Sequence, residues 1–120
     1  IETAERVVYA YDFDAGRGEI ANRRVLIRFD AQVPGNPDGM DIDDEGNLWI
    51  AMWDGWSIHK FSPEGRFLSA HPVPFPRPTS CLWIGGAAPR VIVTSARIRI
   101  SEALLVQNPT AGGLIALPAN

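Results

Sequence analysis

The sequence PDGMDIDDEGNLWIAMW, residues 37–53, joins a proline and small polar residues to two apolar stretches separated by an acidic turn. A second stretch, PTSCLWIGGAAPRVIVTSA at residues 78–96, repeats that order of proline, polar pair, apolar strand, turn and apolar strand. The copies are offset by about 41 residues at the first strand and about 43 at the second, which is typical of the blade of a β-propeller. The repeat predicts four-stranded sheets whose first strands lie near a central axis.

The rest of the chain also has the pattern of strands, because apolar residues alternate or form short runs bounded by Gly, Pro, Asp and Asn. The segment VYAYDFDAGRGEI resembles SIHKFSPEGRF, with Phe13 and Phe61 in matching places. A single helix is predicted at residues 101–108, capped by Ser101 and ended by Pro109. The strands are predicted at residues 7–13, 20–29, 40–42, 48–53, 57–61, 66–73, 80–85, 91–96 and 112–118. An all-β chain of this kind fits a sandwich, a barrel or a propeller, and the repeat favours the propeller.

Composition limits the classes of function. The chain has 120 residues, 46% of them hydrophobic, which is enough for one modest folded domain spanning residues 1–120. The net charge is −3 and the basic residues are scattered, so we expect neither nucleic acid nor a membrane surface as a partner. Cys81 is the single cysteine, which excludes an intrachain disulfide and indicates a reducing, cytoplasmic location.

The acidic stretch has two interpretations, a calcium loop or a hairpin turn. Its spacing matches the first positions of an EF-hand loop, but the twelfth position is Met52 rather than a bidentate glutamate, and the flanks are β-like. We therefore interpret Asp43, Asp44 and Asn47 as turn residues whose side chains bond the nearby backbone.

Asp38 differs because it precedes a strand. From the local sequence alone it is either a residue that caps the loop before it or a carboxylate at the lip of a propeller channel. Both alternatives stay open on this evidence.

Five blocks of sequence, in this order along the chain, resemble the SMP-30/gluconolactonase/regucalcin family. The most specific signal is PDGM followed by D-x-x-G-x-L-W-x-A, and then by PTSC-x-x-x-GG. The blocks are Ile20–Arg24, Pro37–Gly55, Pro78–Gly86, Val91–Arg97 and Ala111–Leu117. The resemblance implies a six-bladed β-propeller with one divalent cation in its channel, which hydrolyses sugar lactones such as gluconolactone to aldonic acids. This chain matches only its C-terminal portion, about two to three blades.

The family's metal ligands are a glutamate of the first blade, an asparagine of a middle blade and the aspartate of the PDGM motif. That aspartate maps onto Asp38, which the resemblance makes a metal ligand and the candidate catalytic base, and the other two ligands would precede Ile1. The cation would be Ca, Zn, Mg or Mn, since oxygen ligands suit the hard ions and a mixed site accepts zinc.

Further residues are weaker candidates. Thr79 and Ser80 occupy the strand start equivalent to Asp38 and Gly39 and are predicted to bind substrate, although a strand-capping role is an alternative. Trp53 is a candidate for contact with a sugar ring, as is Trp56. Two other residues are not expected to take part in a site. Cys81 is expected to be an inert core residue, and His59 is expected to lie on the polar face of its strand.

A segment of two to three blades leaves strand edges and blade faces uncovered, and such edges recruit partners. Three arrangements are open: part of a longer protein with further N-terminal blades, self-association of two chains, or a different closure into a small sandwich or barrel. We favour self-association. The functional hypotheses are a metal-dependent sugar lactonase, and a non-catalytic module that associates with itself or another chain.

Overall fold

A computed structural model describes residues 1–119, which form nine strands and one short helix. The strands make three antiparallel sheets in chain order, β1-β2, β3-β4-β5-β6 and β7-β8-β9. The elements are β1 (Val7–Asp14), β2 (Glu19–Arg28), β3 (Asn36–Ile42), β4 (Leu48–Trp53), β5 (Ser57–Phe61), β6 (Phe67–Pro72), β7 (Pro78–Ile84), β8 (Arg90–Ser95), α1 (Glu102–Gln107) and β9 (Leu114–Pro118). The chain is therefore all-β and forms part of a propeller, as the repeat predicts.

Strand β4 explains how the sheets pack. Its five residues Leu48–Met52 are all buried, although neighbouring side chains of a strand point to opposite faces. Leu48, Ile50 and Met52 pack in a cluster with Ile27 of β2 and with Phe29, which follows β2. Its other face belongs to a second cluster, which joins Trp49 and Ala51 to Val91 and Val93 of β8. A strand covered on both faces needs a continuous apolar sequence, which is what LWIAMW supplies.

The first strands of the second and third sheets, β3 and β7, lie side by side. Each carries an irregularity at its start, between Pro37 and Met40 in β3 and between Pro78 and Ser80 in β7. The sequence repeat is thus also a structural repeat. Strand β3 begins at Asn36 rather than at Met40, because the Pro-Asp-Gly segment predicted as loop joins the sheet through this bulge.

Gly39 permits this close approach of β3 to β7. A Cβ atom added there would lie 2.3 Å from Ser80 Oγ and 2.7 Å from the Thr79 carbonyl oxygen. We expect Gly39→Ala to destabilise the chain by about 2–3 kcal/mol, the cost of overpacking a close contact. Chemical denaturation measures this, and Gly16→Ala is the control because its Cβ would meet only Asp14 Oδ1, at 3.3 Å. Equal unfolding midpoints for the two variants would contradict the prediction.

Among residues 1–119 only the middle sheet has four strands. The likeness of β1 and β2 to β5 and β6 makes the first sheet equivalent to the third and fourth strands of a blade. The predicted helix is present as α1, and Ser101 caps it by accepting a hydrogen bond from the Leu104 amide at 3.3 Å. Within the described part of the chain, no helix has the length and apolar character needed to cross a membrane.

Candidate functional site

Asp38 lies in the bulge at the start of β3, beside the start of the neighbouring first strand β7. Its side chain is half-buried, and burial raises the pKa of the carboxyl above its ordinary value. No described residue donates a hydrogen bond to this carboxylate or forms an ion pair with it. A partly desolvated carboxylate without a donor is suited to a cation, so Asp38 fits the role of a metal ligand.

The rest of a ligand set does not come from residues 1–119. Within that range no group of three or more His, Cys, Asp or Glu side chains is arranged to hold a metal ion. If Asp38 binds a metal ion, the other ligands must therefore come from outside the described residues. Its roles as ligand and base stay predictions.

Thr79 and Ser80 lie at the start of β7, where the sequence predicts them. The Ser80 side chain abuts Gly39 and so lies next to the residue that follows Asp38. The Thr79 hydroxyl is 2.6 Å from the hydroxyl of Thr94 on β8, and Thr94 also donates to the Ser80 carbonyl oxygen at 3.4 Å. Sequence reasoning missed Thr94, although pairing VIVTSA against PTSC in the hairpin places it opposite Ser80. Substrate binding by Thr79 and Ser80 stays a prediction.

Trp53 is the last residue of β4 and pairs with Asn36, the first residue of β3. It therefore lies at the end of the sheet where β3 begins. One face of its ring is covered by the guanidinium of Arg77, whose central carbon lies 5.0 Å from the ring centroid. Arg77 is itself held by Asp54, with Nε 2.6 Å from Oδ1. A sugar contact by Trp53, which stays a prediction, must therefore use the uncovered face or the ring edge.

The acidic turn is organised around Asp43, which is only 6% exposed. Its carboxylate accepts hydrogen bonds from the amides of Glu45 and Asn47, at 3.0 and 2.8 Å, and from the Trp49 indole at 3.0 Å. The Lys60 ammonium lies 3.1 Å from Oδ2. Burial alone would raise the pKa of Asp43, but these donors outweigh it and lower the pKa to about 2. The turn role predicted for Asp43 and Asn47 is confirmed. Asp44 also lies in the turn, but its exposed side chain makes no hydrogen bond within the described residues.

Lys60 connects this turn to the packed tryptophans. Its ammonium lies 4.8 Å from the centroid of the Trp49 ring, and that ring stacks on Trp83 with centroids 6.0 Å apart. Cys81 lies in the same cluster and donates from Sγ to the Trp49 carbonyl oxygen at 3.0 Å. Burial raises the pKa of the Cys81 thiol to about 12, which confirms the predicted inert core cysteine.

The prediction that His59 lies on a polar face is wrong. His59 is 9% exposed and its ring meets those of Phe61 and Phe67, at centroid distances of 6.3 and 5.5 Å. The error arises because the end of β2 and the residues after it cover this face of β5, and alternation within β5 alone does not show that cover. Burial lowers the pKa of His59, and His71 lowers it further.

Acidification should therefore destabilise the chain through its histidines. A histidine with a lowered folded-state pKa resists protonation, so its contribution to stability is complete above the unfolded pKa of about 6.5 and is lost as the pH falls below it. His71 acts in the same direction, because burial and Lys60 lower its pKa. We expect His59→Gln to reduce the loss of stability between pH 7 and pH 5. Urea denaturation at both pH values measures this, and an unchanged pH dependence would contradict it.

Comparisons with known proteins agree with the architecture. Residues 1–97 match the SMP-30/Gluconolactonase/LRE-like region. Regucalcin of Sus scrofa is 36% identical over 115 residues, which are 95% of this chain and 38% of that protein. L-arabinolactonase of Azospirillum brasilense is 37% identical over 109 residues, 91% of this chain and 35% of that protein. The crystal structure of the calcium-binding protein regucalcin from Agrobacterium tumefaciens superposes with a TM-score of 0.88 at 27% identity, covering 98% of this chain and 40% of that one.

The strand order and the blade-like repeat define the chain as part of a β-propeller. The chain belongs to the SMP-30/gluconolactonase/LRE-like family. It spans about 38% of the length of the curated regucalcins it matches. Sugar-lactone hydrolysis is represented among its relatives by the L-arabinolactonase.

Proposed function

We propose that this chain takes part in the metal-dependent hydrolysis of a sugar lactone to an aldonic acid, with Asp38 as a metal ligand and proton acceptor. The observation that carries the proposal is the Asp38 carboxylate, which is half-buried at the start of an inner strand and has no donor among residues 1–119. The lactonase name of a relative 37% identical to the chain supports the substrate class.

The chemistry needs a polarised carbonyl and an activated water. A divalent cation, when bound, supplies a Lewis acid and lowers the pKa of water bound to it. Asp38 helps to hold that cation and accepts a proton as water adds to the lactone carbonyl carbon. The proton then passes to the ring oxygen as its bond to that carbon breaks, which yields the open-chain acid.

One carboxylate cannot make a tight site by itself. The remaining ligands have to come from another chain or from further blades of the same protein, so we expect the isolated monomer to be a poor lactonase. The proposed activity belongs to the assembled propeller.

Metal dependence is the direct test. Hydrolysis of gluconolactone is followed by acid release after chelation, and again after Ca²⁺, Zn²⁺, Mg²⁺ or Mn²⁺ is returned. For the assembled propeller we expect chelation to reduce the hydrolysis to its spontaneous rate and at least one of the four ions to restore the faster rate. Hydrolysis that survives chelation unchanged would exclude the proposed mechanism.

The second candidate function is a self-associating module without catalysis. The outer face of the third sheet favours it, because Leu82 and Leu114 are 56% and 68% exposed there, beside Ile84. Exposed apolar side chains on one sheet face mark an interaction surface. Sedimentation tests this candidate: a clean monomer at high micromolar concentration would count against it.

A further inference from the structure

Arg6 precedes β1, and its guanidinium contacts residues 30–36, the segment after β2 that ends at the first residue of β3. Nη1 donates to the Gly35 carbonyl oxygen and to Asn36 Oδ1, the latter at 2.7 Å. Nη2 donates to the carbonyl oxygens of Asp30 and Val33, at 3.0 and 2.9 Å. One side chain therefore binds four acceptors within a seven-residue segment, which we name the approach loop (residues 30–36).

The Arg6 backbone has an unusual conformation that serves this contact. Its φ is +56°, in the left-handed region that costs a non-glycine residue about 1–2 kcal/mol. The Phe29 amide donates to the Arg6 carbonyl oxygen at 3.0 Å. The main chain of Arg6 therefore binds Phe29, and its side chain binds the residues that follow, in the segment 30–36. A strained residue that is held in place by its surroundings is a reason to look for function nearby.

A second contact fixes the approach loop from the other side. Gly35 has a φ of +79°, and a Cβ added to it would lie 2.6 Å from Gly55 Cα and 2.7 Å from the Trp53 carbonyl oxygen. The loop is thus held between Arg6 and the turn that follows β4. Asn36 is both the end of this loop and the first residue of β3, two positions before Asp38.

We propose that Arg6 is a positioning residue for the Asp38 carboxylate. It binds neither substrate nor metal. By fixing the approach loop it sets where β3 begins, and hence where the Pro37–Met40 bulge presents Asp38. The inference rests on the proposed function in so far as Asp38 serves as a ligand.

The planar guanidinium is required for this role because four acceptors are bound by a rigid fork of donors. A lysine at this position keeps the positive charge but offers one ammonium with three donors, which cannot match the same geometry. Arg6→Lys therefore separates positioning from charge, and Arg6→Gln removes both. Arg24→Gln is the matched control, since Arg24 is an exposed arginine that pairs with Asp12 on the β1-β2 hairpin.

The experiment uses the ¹⁵N-labelled assembled propeller, in which the remaining ligands are present, and Mn²⁺ as the probe. The first quantity compared between wild type and variants is the hydrogen-exchange rate of the Val33 amide, which donates to the Asp30 carbonyl oxygen at 3.0 Å. The second is the amide chemical shifts of Asp38 and Gly39, and the third is the broadening of those two signals by Mn²⁺. In Arg6→Gln we expect Val33 to exchange at least 10-fold faster and the Mn²⁺ concentration for half-broadening at Gly39 to rise at least 10-fold. Arg6→Lys should give smaller changes in the same direction, and Arg24→Gln none.

The outcomes separate this inference from the proposed function. Asp38 and Gly39 shifts and broadening that stay at wild-type values in both Arg6 variants would overturn the inference, even if the melting temperature falls. If Arg6→Gln does not fold, Arg6→Lys decides by the same criterion. Absence of Mn²⁺ broadening at Gly39 in the wild type contradicts the metal role of Asp38, and the amide shifts then still decide whether Arg6 positions this segment.

Discussion

Replacing Asp43 with alanine should lower the free energy of unfolding by about 3–5 kcal/mol, the largest effect on stability that we expect from a single side chain here. The carboxylate is buried, and it ties the β3–β4 turn to the indole of Trp49 and the ammonium of Lys60. Its removal leaves these donors without an acceptor in a place that water reaches poorly. Breaking one partner of a buried charged pair costs more than the pair itself contributes.

Urea denaturation at pH 7 measures the effect of Asp43→Ala. Asp44→Asn is the control, because Asp44 is the adjacent residue and its side chain is exposed. The wild type should also lose stability as the pH falls from about 4 toward 2, since Asp43 has a folded-state pKa of about 2 and an ordinary value of 3.8. This acid-dependent loss should be smaller in Asp43→Ala. A cost similar to that of Asp44→Asn would show that the network contributes little.

The second large effect is expected on activity. Asp38→Asn keeps the shape of the side chain but removes its negative charge and its ability to accept a proton. We expect lactone hydrolysis by the assembled, metal-loaded propeller to fall roughly 10²- to 10⁴-fold, the usual contribution of a positioned acid or base. Metal affinity should fall as well, since an amide oxygen is a weaker ligand than a carboxylate for a hard cation.

Stability separates this loss from a folding defect. Burial in the metal-free fold disfavours the charge of Asp38 and raises its pKa, so Asp38→Asn should melt at the same temperature as the wild type or slightly above it. Asp44→Asn again serves as the control and should keep its activity. Activity of Asp38→Asn equal to that of the wild type would remove Asp38 from the mechanism.

Local sequence predicted those parts of the fold that depend on short-range patterns. The continuous apolar run LWIAMW, the Asp-rich turn after β3 and the Ser101 cap each depend on residues within a few positions of one another, and the structure has all three. The sequence repeat that begins at Pro37 and again at Pro78 also predicted that the second and third sheets are equivalent units. The start of β3 was missed by four residues, because a bulge has no simple period in sequence.

The parts that failed depend on contacts between distant segments. Nothing near His59 in sequence shows that its face of β5 is covered from β2. Arg6 is similar, since its acceptors lie 24 to 30 residues away and three of them are backbone carbonyls, which every sequence has. For Asp38 the sequence predicted the position, through the PDGM motif, but not the lack of a donor.

Lys60 is the only lysine of the sequence, and its ammonium is enclosed between Asp43 and Trp49 with a side-chain exposure of 19%. Acylating reagents that attack free amines therefore have one internal target, and that target is shielded while its contacts with Asp43 and Trp49 persist. The rate at which Lys60 becomes acylated should thus report how often these contacts with Asp43 and Trp49 open. It needs no engineered label.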